Sequence, residues 1–526
     1  MRIKNLKFTA FQKTYFIAIA LFLLALIKTI YFSRLGFGLL DEGENLHNGL
    51  RILNGDLPYR DFYTLLPPLD NYWAAISFKM FGVSIFSPRL LSSMVFSVLP
   101  VIFFLIARKS LRTFYALIPA VLIIFMDLNI ERIYYCSFIF GGFLLFIYSL
   151  DKKSFRWKIL AGLLLGVGSL VRLDYAGGFL VGIFVGMICY TLTSIRHGKI
   201  IFFLKTQSLF WVGFVLVMLS LIFWLANYDL IALFSKAFFI NALGVTHAYS
   251  LQFPALFEMV PQNLSPANLM NAYSAWFANI ILLTYLVFGG YFLRNWSFIW
   301  RYHKELGLMF FVGLFISPYM FGRADLGHLV KGGIPFLFLG SFLLSETRKI
   351  RKDFVWVRYA FFLIPIIILV SNLVQSFWWV RFNDTKLVVG ENVLLLNSYY
   401  PANSTLVSAQ TIGLAVDFIK THTKMNEPFL ALPYMAGLYF LMDRPSQTYV
   451  DNVFVGFLPD ENQFIKQLEY LKINVVIYDP VNGPQSKKKL LKSYYPQLDA
   501  YIMSRFDVVE QTNEGWLFMR RKNENF

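Results

Sequence analysis

Residues 14–34 read TYFIAIALFLLALIKTIYFSR, and residues 35–44 read LGFGLLDEGE. The hydrocarbon core of a bilayer is ~30 Å thick and takes about 20 consecutive, mostly apolar residues to cross as a helix. The first stretch meets that length, with Lys28 the single charge before Arg34 closes it. The second places three carboxylates, Asp41, Glu42 and Glu44, directly behind it. A span that runs straight into a cluster of acids sets the reading of the whole chain: an apolar body with its chemistry at a membrane surface.

The apolar pattern returns throughout the first 380 residues. Candidate spans fall at roughly 14–34, 88–108, 113–130, 134–150, 159–172, 175–195, 206–226, 271–293, 306–322, 329–345 and 359–379, which predicts an α-helical polytopic membrane protein with about eleven transmembrane helices. Composition agrees: 57% of the 526 residues are hydrophobic and 57 are Phe. Charged residues are 15%, against about 25% in an average soluble chain. A soluble core has no use for that much apolar surface, so the excess faces lipid. The basic N-terminus (Arg2, Lys4, Lys7, Lys13) precedes an apolar run too long for a signal peptide, and no A-x-A-like cleavage site follows, so the first helix is expected to be retained. The two cysteines, Cys136 and Cys189, lie in apolar runs and build neither a disulfide framework nor a thiolate metal site.

The net charge of +17 invites a nucleic-acid reading, and its distribution rejects one. From Arg381 onward, 15 basic residues balance 15 acidic ones, so the excess belongs to the membrane part. There it sits in short loops: Arg108, Lys109 and Arg112; Lys152 to Lys158; Arg196 to Lys205; Arg294 to Lys304; and Arg348 to Arg358. These loops share one side with the N-terminus, which the positive-inside rule makes cytoplasmic. An odd number of spans then puts the C-terminal segment on the external side. The localisation expected is the cell's inner (plasma) membrane.

Two domains follow. Residues 1–380 form the membrane domain, whose first external loop, 35–87, carries two segments too short to span, 41–54 and 69–81. Leu46, Leu50 and Leu53 stripe the first and Trp73, Ile76 and Met80 the second, the spacing of helices lying in the membrane interface. Residues 381–526 read as a soluble external α/β domain, with strand-length runs at 429–432 and 475–478 and an amphipathic helix at 462–471.

Four charged clusters emerge on the external side. The first is Asp41-Glu42-Gly43-Glu44, where a partly desolvated carboxylate is suited to take a proton from a hydroxyl, beyond the plain role of favouring a helix N-terminus. The second is the Arg172–Asp174 hairpin, which follows a short, Gly-rich apolar run and so sits below the surface, where charges are paired or line a wet cavity. The third, Arg323 to His328 with Asp325 and then Lys331, offers a guanidinium fork and an imidazole to phosphate oxygens. The fourth is Glu131-Arg132. Only His47 and His328 of six histidines lie near these acids, which leaves a divalent metal weakly indicated and no other cofactor implied.

The order Asp41-Glu42, Gly55-Asp56-Leu57-Pro58-Tyr59, Pro67-Pro68-Leu69 with Tyr72-Trp73, then Phe81-Gly82 and Pro88-Arg89-Leu90 resembles the C-type membrane glycosyltransferases, in particular the group of protein O-mannosyltransferases and aminoarabinose lipid A transferases. The resemblance implies a polyprenyl-phosphate-linked sugar as donor, a lipid, glycan or protein acceptor, and inverting transfer on the external face with Asp41 as base. It implies substrate contacts from Glu44, Tyr59 and Asp61 as well. One departure stands out: a Lys that contacts donor phosphate in the aminoarabinose transferases is here Leu66. Arg172, Arg323, His328 and Lys331 are then the expected phosphate ligands, with Asp174, Asp325, Glu131 and Arg132 around them. The alternatives are a transporter or flippase of lipid-linked saccharides and a glycan polymerase or ligase.

Overall fold

A computed structural model describes residues 10–126, 133–152, 154–194, 200–241, 251–261, 266–349, 355–397, 407–453, 458, 460–480 and 491–522. Glu131 and Arg132 lie outside them. The chain forms two compact units, and neither is one continuous segment. One comprises Met1–Ile30, Ser92–Leu221 and Ser250–Ser376; the other comprises Tyr31–Leu91, Ile222–Tyr249 and Phe377–Phe526.

The first unit is helical. Among the described residues, eight helices are long and apolar enough to cross a membrane: Gln12–Phe32, Phe86–Ala107, Leu173–Thr193, Ser208–Asn227, Asn271–Arg294, Lys304–Phe321, Leu326–Glu346 and Phe362–Phe382. This is a multi-pass membrane protein. The remaining three expected spans are shorter helices, Thr113–Phe125, Tyr135–Lys152 and Phe155–Ser169. At 1.5 Å per residue, the 13 residues of Thr113–Phe125 reach about 20 Å, well short of the bilayer core. Helix Phe155–Ser169 packs through glycines: a Cβ on Gly162 would lie 2.0 Å from the Phe210 carbonyl oxygen, and one on Gly166 2.7 Å from Val217. Small residues at such crossings let membrane helices approach backbone to backbone. Loops expected to share one side do meet, since Asp151 accepts hydrogen bonds from both Lys109 and Lys304.

The second unit divides the chain differently from a boundary at 380, because the first loop and the C-terminal segment fold together. Strands β1 (Thr385–Val389) and β2 (Asn392–Leu396) form a hairpin, and Leu35 bridges to Leu395 beside it. A four-stranded sheet follows in the order β3-β4-β6-β5, built from β3 (Leu430–Leu432), β4 (Val475–Tyr478), β5 (Phe506–Gln511) and β6 (Leu517–Arg521). β3 and β4 run parallel, and the other pairs are antiparallel. Side chains alternate across a strand. Accordingly Ala431, Val475 and Ile477 enter one core, while Leu430, Leu432, Val476 and Tyr478 enter another on the opposite face.

The first of those cores contains the first loop. Leu46, Leu50 and Phe78 bury beside Ala415, Ile419, Leu438 and Phe440, with the Phe78 and Phe440 rings stacked at 5.7 Å. Helix Asp41–Leu53 therefore does not lie open to lipid as its apolar stripe suggested. The stripe is covered by protein, and helix Pro68–Phe81 keeps only Ile76, Met80 and Phe81 exposed among its apolar residues at the far edge.

Candidate active site

Asp41 opens helix Asp41–Leu53 and is solvent-exposed, whereas its neighbour Glu42 is buried. Successive helical residues point ~100° apart, so one acid can face out while the next faces in. Glu42 is fully engaged: Arg89 donates Nε to Oε1 at 2.6 Å and Nη2 to Oε2 at 2.8 Å, and the Gly38 N–H donates to Oε2 at 3.0 Å. Arg89 extends the clamp to the carbonyls of Ser33 (2.6 Å) and Gly36 (2.9 Å). Both oxygens of Glu42, expected from sequence as a catalytic partner, are thus occupied by protein donors. Arg89 was legible in the sequence only as part of Pro88-Arg89-Leu90.

The rest of the loop is tied by a second buried arginine that the sequence reading did not single out. Arg51 donates Nε to Asp56 (2.7 Å), Nη1 to the Thr448 carbonyl (2.9 Å) and Nη2 to the Asp61 carbonyl (2.8 Å), and its guanidinium lies 5.1 Å from the Phe62 ring centroid. Nη1 also lies 3.4 Å from Asp451. Fully buried His47 accepts the Ser446 N–H on Nε2 at 2.9 Å. An accepting nitrogen is unprotonated, so the ring proton belongs on Nδ1, 3.1 Å from Asp451. Burial would raise the Asp451 carboxyl; His47 and then Arg51 outweigh it and hold it below the usual carboxylate range.

Three residues expected to touch substrate have partners within the protein. Tyr59 is buried with φ +69° and donates its hydroxyl to the Leu66 carbonyl. Asp61 receives the Leu57 N–H at 2.7 Å and Arg60 on both oxygens. Glu44 accepts from Asn452 at 3.0 Å. The polar atoms of Tyr59 and Asp61 close turns between the two loop helices, and Glu44 ties the first helix to the C-terminal segment.

The first unit brings two of the predicted clusters together. Arg172 grips Asp174 with Nε (3.0 Å) and Nη2 (2.7 Å), and its guanidinium lies 5.4 Å from the Tyr319 ring centroid. The His328 ring stacks on Tyr319 at 5.0 Å. Asp325 caps helix Leu326–Glu346 by accepting the His328 N–H at 3.0 Å, takes the His328 ring Nδ1 at 2.8 Å and takes Arg323 Nε at 2.6 Å. Burial alone would raise the Asp325 carboxyl, but the His328 hydrogen bond and the charges of His328 and Arg323 outweigh it and push it far below the usual range. Tyr175 stacks edge-on against Tyr319 (5.5 Å) and Tyr135 (5.4 Å) and donates its hydroxyl to the Lys331 carbonyl (2.9 Å). Three cations (Arg172, Arg323, Lys331) against two carboxylates leave one formal positive charge around an aromatic wall, with Arg323 half-exposed. Tyr319 and Tyr175 carried no signal in the sequence beyond apolar spacing. Among the described residues no group of three His, Cys, Asp or Glu side chains gathers to hold a metal.

No protein-family model matches the chain, and no curated protein matches it in sequence. Solved structures do match in fold. ArnT from Cupriavidus metallidurans in the apo state aligns at TM-score 0.54 and 13% identity over 96% of this chain and 98% of that one. The Archaeoglobus fulgidus oligosaccharyltransferase in the apo form aligns at TM-score 0.52 and 11% identity over 97% of this chain and 75% of that one. The chain shares the fold of these two structures over nearly its whole length.

Proposed function

We propose that this chain, built on the C-type membrane glycosyltransferase fold, is itself a glycosyltransferase that moves a sugar from a polyprenyl-phosphate carrier to an acceptor hydroxyl on the external face of the membrane. The observation that carries the reading is the division of labour at the first loop: Asp41 exposed at the start of its helix, Glu42 beside it buried and clamped by Arg89. The names of the fold neighbours, an oligosaccharyltransferase and ArnT, support glycosyl transfer as the reaction class.

The chemistry is a single displacement with inversion. The acceptor oxygen attacks the anomeric carbon as Asp41 takes its proton, the anomeric C–O bond to phosphate breaks, and the carrier leaves as a polyprenyl phosphate. Phosphate is a good leaving group and needs fixed positive charge rather than a proton donor. Within the first unit Arg323 has most to offer a phosphate, because only its Nε is engaged by Asp325, and a guanidinium presents further N–H groups to phosphate oxygens. Arg172 and Lys331 add to the local potential, and His328, fixed by Asp325, can offer its second nitrogen. Tyr319 holds Arg172 and His328 on one ring.

Purified protein incubated with radiolabelled polyprenyl-phosphate sugars tests the proposal. Formation of a new glycosidic bond, lost in Asp41→Asn, is the expected result; movement of the lipid-linked sugar between leaflets without new linkage identifies a flippase and overturns it. Joining of two lipid-linked glycans identifies a polymerase or ligase.

A further inference from the structure

We propose that the β1–β2 hairpin and the turn after helix Pro68–Phe81 form one apolar wedge seated in the lipid surface. The hairpin spends its inward face on the core, through Val389, Leu394 and Leu396. Its other face puts Val388 and Val393 directly opposite each other, 56% and 55% exposed. A cross-strand pair of β-branched apolar residues stabilises a hairpin by contact, yet this pair leaves half its surface uncovered. At the turn, Met80, Phe81 and Val83 are exposed around Gly82, whose φ of +86° is one that L side chains rarely adopt.

The two features are joined. The Ile85 N–H donates to the Asn392 side chain at 3.0 Å, and Asn392 is the β2 residue next to Val393. The joint also fixes what covers the patch. One residue after Ile85 the span Phe86–Ala107 begins, and three residues before β1 the span Phe362–Phe382 ends. That second span finishes in outward-facing Phe377, Trp378 and Phe382, the aromatic girdle that marks a membrane–water boundary. Apolar surface that runs along the chain into the ends of two membrane spans, the second of them largely uncovered by protein, is matched by the bilayer itself. Exposed Lys79 and Lys386 flank the patch, and their stems can lie along it while the ammonium groups reach headgroup phosphates. Interfacial elements of this kind sit about 5–10 Å into the boundary of headgroups and acyl chains. Because the hairpin and helix Asp41–Leu53 share one core, the wedge would fix the depth of the acidic helix.

The inference does not depend on the proposed reaction, and its test uses none. Single cysteines at Val83, Val388 and Val393 are labelled with bimane in a Cys189→Ser background, where the remaining Cys136 is buried. Phe377→Cys, within a span, is the lipid-facing reference, and Tyr470→Cys, 85% exposed on helix Glu461–Tyr470, is the aqueous one. The proteins are placed in nanodiscs of phospholipid spin-labelled near the headgroup. Loss of fluorescence at 83, 388 and 393 comparable with that at 377, and none at 470, is expected. Unquenched labels at 388 and 393 overturn the proposal, whether iodide reaches them from water or a protein partner or second copy shields them. Two hairpin positions keep the test decisive if one variant fails to fold.

Discussion

Arg89 holds Glu42 by both carboxylate oxygens, with each side chain less than a tenth exposed. Removing one partner of a buried pair strands the other charge and costs about 3–5 kcal/mol. Arg89→Ala is therefore expected to lower the thermal midpoint of purified protein sharply, and Arg89→Lys to recover only part of it, since an ammonium cannot form the two-point fork. A midpoint unchanged in Arg89→Ala contradicts the clamp.

Asp41, one position earlier, behaves oppositely. Exposed at the first turn, it gains a few tenths to about 1 kcal/mol from the helix dipole. Asp41→Asn is expected to fold normally and to lose about 10²–10⁴-fold in turnover. Activity within a few-fold of wild type in a sugar-transfer assay removes Asp41 from the base position.

Gly43 and Gly437 cross backbone to backbone. The Gly437 N–H donates to the Leu39 carbonyl at 2.8 Å, and a Cβ on Gly43 would meet the Gly437 nitrogen at 2.4 Å. Backbone on both sides cannot yield, so Gly43→Ala pries the acidic turn from its support and costs about 1–3 kcal/mol or more. Gly55, where a Cβ meets nothing within 4 Å, is the control for methyl bulk, though its φ of +101° adds strain of its own.

Tyr319 bridges Arg172 and His328, and a cation over an aromatic face is worth about 0.5–2 kcal/mol. Tyr319→Ala is expected to raise KM for the lipid-phosphate donor by the corresponding factor while leaving acceptor KM alone. Tyr319→Phe keeps the ring and should stay near wild type; an equal defect in both variants would assign the role to the hydroxyl.

Asp325 gives a pH test with a definite sign. Its folded carboxyl titrates well below the ordinary value near 3.9, so its stabilising contribution is fully present above that value and fades only as pH falls beneath it toward the folded one. The Asp325 carboxyl itself therefore adds no pH dependence from neutral down to about pH 5, and a slope in the midpoint difference between wild type and Asp325→Ala over that range reports its hydrogen-bonded partner His328. Loss of the helix cap alone predicts about 0.5–2 kcal/mol. Asn retains the cap but not the charge, so Asp325→Asn separates the two.

Much of this architecture was legible because periodicity is local. The segments predicted at 41–54 and 69–81 are helices Asp41–Leu53 and Pro68–Phe81, and the strand at Val475–Tyr478 stands where its apolar run lies. What covers an apolar stripe is not local. Leu46 and Leu50 read as lipid-facing, yet they bury against Leu438 and Phe440 from the opposite end of the chain. The acids were found by their spacing, but which one is exposed depended on Arg89, a residue that looked like one more charge after a proline. Likewise Arg172 and Arg323 were singled out as charges out of place, while the tyrosine that joins Arg172 to the His328 cluster hid among apolar neighbours.

The shared core has a consequence for biosynthesis. Helix Asp41–Leu53 leaves the ribosome hundreds of residues before Ala436, Leu438 and Phe440, which roof it. The acidic helix is thus made long before its core can close. A premature stop upstream of 436 would yield a protein with its spans in place and a collapsed or unformed acidic turn, and supplying the missing tail as a separate polypeptide is the natural complementation.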